Sequence, residues 1–388
     1  MKGISFIMID ADIFYKNLKE NNIEFFTGVP DSLLKSICAY IKDNTDCDKN
    51  IIASNEGNAV GIASGYYLST GKIGLVYMQN SGIGNAINPL TSLNDKLVYN
   101  IPVLLLIGWR GEPGKKDEPQ HKKQGLITLE TMDLLNVKYE IMDENTSNEE
   151  AENIIKRACM HMRDTKESYA IIVKKNTFTQ YKLINSVHSD FEMSREDAIE
   201  ILINNMKENA VIVSTTGMAS RELFELREKN EQDHRKDFLT VGSMGHASQI
   251  ALGIALAKRK CDVYCIDGDG AMIMHLGGIA IIGDKGPLNF KHILINNGAH
   301  DSVGGQDTVG LKINIKEIAK SCGYKRVYSC STKDELEIYS KEIMNCDGPV
   351  LLEIKVKKGA RKDLGRPTTT PIENKGLFME FLNSIPEK

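Results

Sequence analysis

The chain has no apolar run long enough to cross a bilayer. Its opening, MKGISFIMID, is too short and turns acidic too soon to act as a secretory signal, so a cytoplasmic protein is expected. Eight cysteines are present, but none form a C-x-x-C pair or a spacing typical of a zinc centre. That argues against a local zinc module and makes free thiols the expectation. A basic excess is missing as well. With a formal net charge of -4 and its lysines interspersed with acids, the chain lacks a nucleic-acid-binding stripe, and its lysine-rich patches read as solvated faces. No G-x-G-x-x-G follows a strand with an acid suitably downstream, which counts against a dinucleotide site. No residue-level repeat is visible.

What is present is an α/β rhythm. Helical and strand patterns alternate through ADIFYKNLKENN, IEFFTGVP, DSLLKSICAYIKD and NIIASN, and continue in KIGLVYMQ, IPVLLLIGW and SYAIIVKK. The polar stretch YKLINSVHSDFEM interrupts the rhythm. Beyond it, SREDAIEILINNMKEN, AVIVSTTG, FLTVGSMG, ASQIALGIALAK and DVYCIDGDG resume it. The expectation is two α/β domains, residues 1–183 and 195–388, joined by a linker at 184–194, each a parallel sheet flanked by helices. The closing GLFMEFLNSI reads as a short packed helix.

One constellation carries chemistry. A buried strand runs into Gly268-Asp269-Gly270 and a helix is expected to begin near Ala271; a second strand, KHILI, ends at Asn296-Asn297. In a parallel sheet both polar turns lie at the carboxyl edge, where open α/β sheets bind ligands. A carboxylate, a side-chain amide and a backbone carbonyl, here Asp269, Asn297 and Ala299, suit a hard cation such as Mg²⁺ that keeps places for phosphate oxygens. Gly268 and Gly270 let backbone approach a phosphate closely. Taken singly, each motif reads as an ordinary turn.

The G-D-G to N-N segment resembles the signature of thiamine diphosphate enzymes. The resemblance implies that Asp269 and Asn297 hold Mg²⁺ by side chain and Ala299 by backbone. It places Gly217, Gly242 and Met244 beside the bent cofactor, with Met244 as the apolar wedge between its rings, and Gly268, Gly270 and Ala271 at the diphosphate. In IIASNEGNAVGIASGYYLSTG, Glu56 opens a helix of small residues. A lone acid there usually compensates the helix dipole, but the surroundings resemble a pyrimidine-binding domain, in which a glutamate protonates the pyrimidine ring. The family also implies a homodimer or homotetramer with cofactor at the subunit interface.

There is no room for the third, central domain of the wider 2-oxoacid decarboxylase family. Along essentially its whole length the chain resembles the compact phosphonopyruvate decarboxylases, in GVPDSLLK, MQNSGIGNAINPLTSL, WRGEPGKKDEPQHKKQG, NNGAHDSVGGQ and GARKDLGRPTT. Sulfopyruvate decarboxylases share the architecture and are the alternative. The resemblance implies decarboxylation of a three-carbon 2-oxoacid bearing a second anion, within phosphonate biosynthesis. It also implies proton-transfer roles for Asp31 and His121, although His121 stands alone where that family often has a histidine pair. His300 and Asp301 should face the substrate. Arg361, Lys362 and Arg366 could clamp a phosphonate; the backbone of the Gly82 to Gly84 turn is the other candidate.

Overall fold

A computed structural model describes residues 8–185 and 189–385. The chain divides into two compact units after residue 186, with Val303–Gln306 grouped with the first. The first unit holds six strands: β1 (Phe26–Gly28), β2 (Asn50–Ile52), β3 (Leu75–Gln79), β4 (Leu104–Gly108), β5 (Lys138–Met142) and β6 (Tyr169–Val173). Their order is β2-β1-β3-β4-β6-β5, and every pairing is parallel. The second unit has β7 (Val211–Ser214), β8 (Asp237–Leu239), β9 (Val263–Gly268), β10 (Phe290–Asn296), β11 (Arg326–Cys330) and β12 (Val350–Lys355). Its order, read from the other edge, is β8-β7-β9-β10-β12-β11, again all parallel. In both units the second strand is outermost, then the first, third, fourth, sixth and fifth. The same topology has thus been built twice from sequences with no visible repeat.

The central strands are apolar runs buried on both faces, as crossover helices demand of a parallel sheet: LLLIG in β4, YAIIV in β6 and FKHILIN in β10 are buried throughout. Each sheet therefore separates two apolar layers. Local chemistry sets the helix starts. Ser194 caps Arg195–Asn204 in a reciprocal capping box with Asp197, and Thr332 with Glu335 and Thr370 with Glu373 repeat the device. The apolar C-terminal stretch forms the helix Pro371–Ser384. The helix expected near Ala271 begins at Asp269 itself, directly after β9, so that Asp269 is both the strand's exit and the helix's first residue.

In each sheet the order reverses between the first and third strands, and at that switch the two connections leave in opposite directions, opening a crevice at the carboxyl ends. In the first unit the crevice lies past Gly28 and Gln79. In the second it lies past Ser214 and Gly268. The edge beside β8 is finished by a side chain. Asn374, 7% exposed, accepts from the Leu239 N–H at 3.1 Å and donates to the Asp237 carbonyl at 2.8 Å, standing in for a strand partner. Asn374→Leu should leave two buried backbone groups unpaired and cost about 2 kcal/mol, read as a lower urea midpoint at unchanged slope.

Candidate active site

The residues singled out from the sequence fall into two sets, one on each unit. In the first unit Asp31 follows β1 and is fully buried. Its Oδ1 accepts from Gln79 Nε2, at the end of β3, at 2.6 Å, while Oδ2 accepts from the Leu33 N–H at 2.8 Å. These bonds tie the two strand ends together across the switch. Gly108, ending β4, has no Cβ because one would fall on the Asp31 carboxylate.

His121 sits in the first turn of the helix Pro119–Leu134 and is buried. Its Nδ1 lies 2.9 Å from Asp117 Oδ1, and Asp117 also receives Arg110 Nε at 2.9 Å and the Gly111 N–H at 2.8 Å. Burial resists ionisation of Asp117, but hydrogen bonds from Arg110, His121 and Gly111 outweigh it and hold the carboxyl well below the ordinary carboxylate range. Burial likewise lowers the His121 imidazole, against the pull of the Asp117 hydrogen bond. A neutral ring donating Nδ1–H to Asp117 leaves Nε2 able to take up a proton. Asp31 acts electrostatically on the same ring. Arg110 donates to Ser32 Oγ at 2.8 Å, so the loops carrying Asp31 and His121 meet. Buried Asn80 fixes that meeting by donating to the Arg110 carbonyl at 2.8 Å and to Thr128 Oγ1 at 2.9 Å.

Glu56 is the first residue of the helix Glu56–Thr70, behind the cap Asn55, whose side chain accepts from the Asn58 N–H at 2.9 Å. Unlike a dipole-compensating surface acid, it is only 5% exposed. Its Oε2 accepts from Asn85 Nδ2 at 2.7 Å, and burial raises its proton affinity in spite of that bond. A Cβ at Gly82 would land on its carboxyl; the Gly82 turn therefore lies against Glu56.

In the second unit the loops after four neighbouring strands converge. The Gly242 N–H donates to Thr216 Oγ1 at 2.9 Å, pinning the turn after β8 to the one after β7. Gly217, Gly242, Ser243 and Gly245 all have positive φ, of 97°, 74°, 50° and 84°. This tight left-handed course is what presents the half-buried Met244 at a loop tip. Asp269 is 2% exposed, accepts from the Thr308 hydroxyl, and has the Asn297 and Gly270 N–H groups beside its carboxylate. Gly310 leaves room for it, since a Cβ there would meet Asp269 Oδ2 at 2.6 Å. Burial outweighs these donors and pushes Asp269 up to about 6.

The two asparagines divide their work. Asn296 is fully buried and donates to the Gly310 carbonyl at 2.9 Å and to Glu353 at 2.8 Å. Asn297 Oδ1 receives the Ala299 N–H at 3.0 Å, an arrangement that brings both residues into one turn. A buried carboxylate with raised proton affinity, beside an amide oxygen and a carbonyl-bearing turn, is a set of hard oxygen donors short of positive charge. It fits Mg²⁺. His300 lies over Gly270, whose Cβ would come within 3.0 Å of the imidazole, and desolvation lowers it to about 4.

Asp301 has its Oδ2 engaged by Asn297 Nδ2 at 2.7 Å, the Gly359 N–H at 2.9 Å and Arg195 Nη1 at 3.4 Å. It thereby clasps the basic segment to the Asn297 turn. Arg361 meets three carboxylates, Glu196 at 3.1 Å, Asp363 at 3.2 Å and Glu225, while Lys362 and Arg366 are exposed. Arg221 donates to the Leu364 and Gly365 carbonyls and holds the segment. Asn85, Gln79, Asp117, Thr308 and Arg221 were not singled out from the sequence. The first three stand inside quoted motifs, so position was visible but partnership was not.

Residues 10–132 match the thiamine pyrophosphate enzyme N-terminal TPP binding domain, and residues 215–354 match the C-terminal TPP binding domain, thiamine pyrophosphate being another name for thiamine diphosphate. A phosphonopyruvate decarboxylase of Streptomyces viridochromogenes is 32% identical over 98% of this chain and 96% of its own. The chain belongs to the thiamine diphosphate-dependent 2-oxoacid decarboxylase family. It is an enzyme, a carboxy-lyase. A phosphonopyruvate decarboxylase of Streptomyces hygroscopicus is 31% identical over 96% of this chain and 94% of its own, and a sulfopyruvate decarboxylase of Methanosarcina acetivorans is 27% identical over 82% and 83%. Among the described residues, no helix of this decarboxylase is long and apolar enough to cross a membrane.

The raised Asp269 sets a pH dependence for the cofactor-free enzyme. A buried acid whose folded pKa exceeds its unfolded value binds more protons when folded, so its contribution is full below about 4, declines as pH rises to about 6, and is flat above. Its ionisation costs roughly 2–3 kcal/mol. Cofactor-free Asp269→Asn should therefore gain stability relative to the parent between pH 4 and 6 and stay ahead at pH 8. Urea titrations of both proteins across that range check the crossover.

Proposed function

We propose that this decarboxylase converts 3-phosphonopyruvate to phosphonoacetaldehyde and CO₂, using thiamine diphosphate bound through Mg²⁺. One observation carries the reading: two phosphonopyruvate decarboxylases at 32% and 31% identity align with 98% and 96% of the chain. Sulfopyruvate is the second reading, favoured by the Methanosarcina acetivorans relative. Both acids carry a second anion that pyruvate lacks.

We assign residues 1–183 to the pyrimidine end of the cofactor and 195–388 to the diphosphate end, with 184–194 as the linker. Asp269, Asn297 and the Ala299 carbonyl would hold the cation. Gly268, Gly270 and Ala271 would face the diphosphate, and Gly217, Gly242 and Met244 the rings. Bound thiamine diphosphate supplies an electron sink for the carbon–carbon bond that breaks. Glu56 would hold a proton at the pyrimidine nitrogen, a task suited to a carboxyl whose proton affinity is raised by burial. His121, oriented by Asp117, and His300, kept neutral by desolvation, would move protons at the substrate, with Asp31 adding a lesser electrostatic pull toward the charged form of His121. Asp301 fits a positioning part better than a proton-transfer part because its Oδ2 is engaged. Arg361 could grip a phosphonate only by leaving its carboxylates; Arg366 and the backbone of the Gly82 to Gly84 turn are the other candidates. The assembly is read as at least a homodimer, to be checked by light scattering.

CO₂ release from phosphonopyruvate, sulfopyruvate and pyruvate tests the reading, with phosphonopyruvate expected to give the highest kcat/KM; a higher value for sulfopyruvate overturns it. Arg366→Ala should lower kcat/KM for phosphonopyruvate by about 2 kcal/mol, the value of a charge-assisted contact, and that for pyruvate much less. Equal losses place the phosphonate elsewhere.

Glu56→Gln should leave the cofactor bound while slowing deuterium exchange at its thiazolium C2 on the order of 100-fold, the usual contribution of a positioned proton donor. Exchange at the parental rate removes Glu56 from this role.

A further inference from the structure

Beneath the Asp269 turn lies a polar cluster that the proposed chemistry does not use. Cys265 and Asp267 are two residues apart on β9 and so share a face, and His292 on β10 pairs in register with Cys265. All three are completely buried. Asp267 Oδ1 accepts from the Gly268 N–H at 3.0 Å, and Oδ2 faces His292 Nε2 at 3.5 Å. Neither of those facing atoms makes a hydrogen bond. On the far side of the ring, His292 Nδ1 lies 2.9 Å from the Tyr324 hydroxyl.

Burial pushes the Tyr324 hydroxyl far above its ordinary range, so it stays protonated and can donate to Nδ1. That assignment puts the ring hydrogen on Nε2, pointing at Asp267. The alternative occupant, a metal ion, would find three ligands, no exposure to solvent, and no fourth His, Cys, Asp or Glu among the described residues. Closed sites of this donor type want four ligands.

We propose that Tyr324, His292 and Asp267 form a polar relay, two hydrogen bonds joined by the close electrostatic approach of imidazole and carboxylate, that positions the Gly268-Asp269-Gly270 turn for its cation. The relay runs from the Tyr324 hydroxyl, hydrogen-bonded to the imidazole, to the Nε2 edge that faces Asp267 at 3.5 Å, and the other oxygen of Asp267 grips the Gly268 N–H. The peptide so held immediately precedes Asp269. Loss of the relay frees the strand end to rotate and misaims the carboxylate, although no relay member touches the ion. Tyr324 belongs to an apolar layer that also holds Phe290, whose ring is edge-on to the imidazole at 5.9 Å.

The inference rests on Asp269 being a cation ligand, and the experiment separates the two. Mg²⁺ is titrated by calorimetry into protein saturated with thiamine diphosphate, alongside the melting temperature of the cofactor-free protein. Asp269→Ala should abolish the Mg²⁺ isotherm; if it does not, the site reading fails. Given that loss, His292→Leu should weaken Mg²⁺ about 10-fold, the usual effect of removing an outer partner of a metal site. Asp267→Asn, which can still grip Gly268 and can donate to a His292 of the other tautomer, should recover most of the affinity that Asp267→Ala loses. Tyr324→Phe removes one hydroxyl without changing shape and should weaken Mg²⁺ severalfold in a protein that still folds. Parental Mg²⁺ affinity in folded Tyr324→Phe and His292→Leu overturns the relay. So does stoichiometric zinc in the isolated enzyme that disappears in Cys265→Ser.

Discussion

Parallel pairing is the constraint on which the rest of this molecule depends. Strands that all run one way must be joined by crossovers, and crossovers return the chain to the same edge. Every loop that leaves a strand is thereby gathered at that strand's carboxyl end. Gln79 at the end of β3 can reach Asp31 after β1 because those strands are neighbours in one parallel sheet. Asp269 and Asn297 meet for the same reason, since β9 and β10 are paired in register. A single antiparallel reversal in either sheet would send one of these groups to the opposite edge.

Burial gives the gathered groups their chemistry. Glu56 and Asp269 have raised proton affinity because the surrounding chain has removed water without supplying enough donors. Asp117 lies in the other direction because Arg110 and two further donors oversupply it. Three carboxylates of ordinary intrinsic acidity are thus driven apart by environment, Glu56 and Asp117 within the first unit and Asp269 within the second. Space is managed as carefully as charge. Gly82, Gly108 and Gly310 each stand where a side chain would displace a carboxylate, so these glycines are required by contact rather than by backbone conformation.

Burial on both faces made most strands legible as sequence, although the half-buried edge strand in NIIASN was also read and the buried VLLEIK was not. LVYMQ, LLLIG, YAIIV and FKHILIN are continuous apolar runs and announce themselves. The edge strands KYEIM and RVYSC mix exposed polar residues into the run, and an edge strand has one neighbour only, so nothing compels a recognisable pattern. The doubling of the topology was invisible for a related reason. A parallel sheet requires apolar strands at a certain rhythm but no particular residue, and two units can share every connection while sharing no sequence.

The sequence by itself determined the α/β class, the positions of the G-D-G and N-N turns, and the presence of Glu56, Asp31 and His121, because each depends on short-range pattern or on residues that must be of one type. Partnership depended on tertiary structure. That Asn296 is committed to Gly310 and Glu353 while Asn297 turns toward Ala299, that Arg361 is held by acids, and that Asp301 is a clasp all follow from contacts made across long stretches of chain. The clearest case is Cys265, Asp267 and His292. As sequence they have no metal or catalytic spacing, and only the register of β9 against β10 puts a histidine ring beside a carboxylate, since side chains on adjacent strands become neighbours through pairing and not through their distance along the chain.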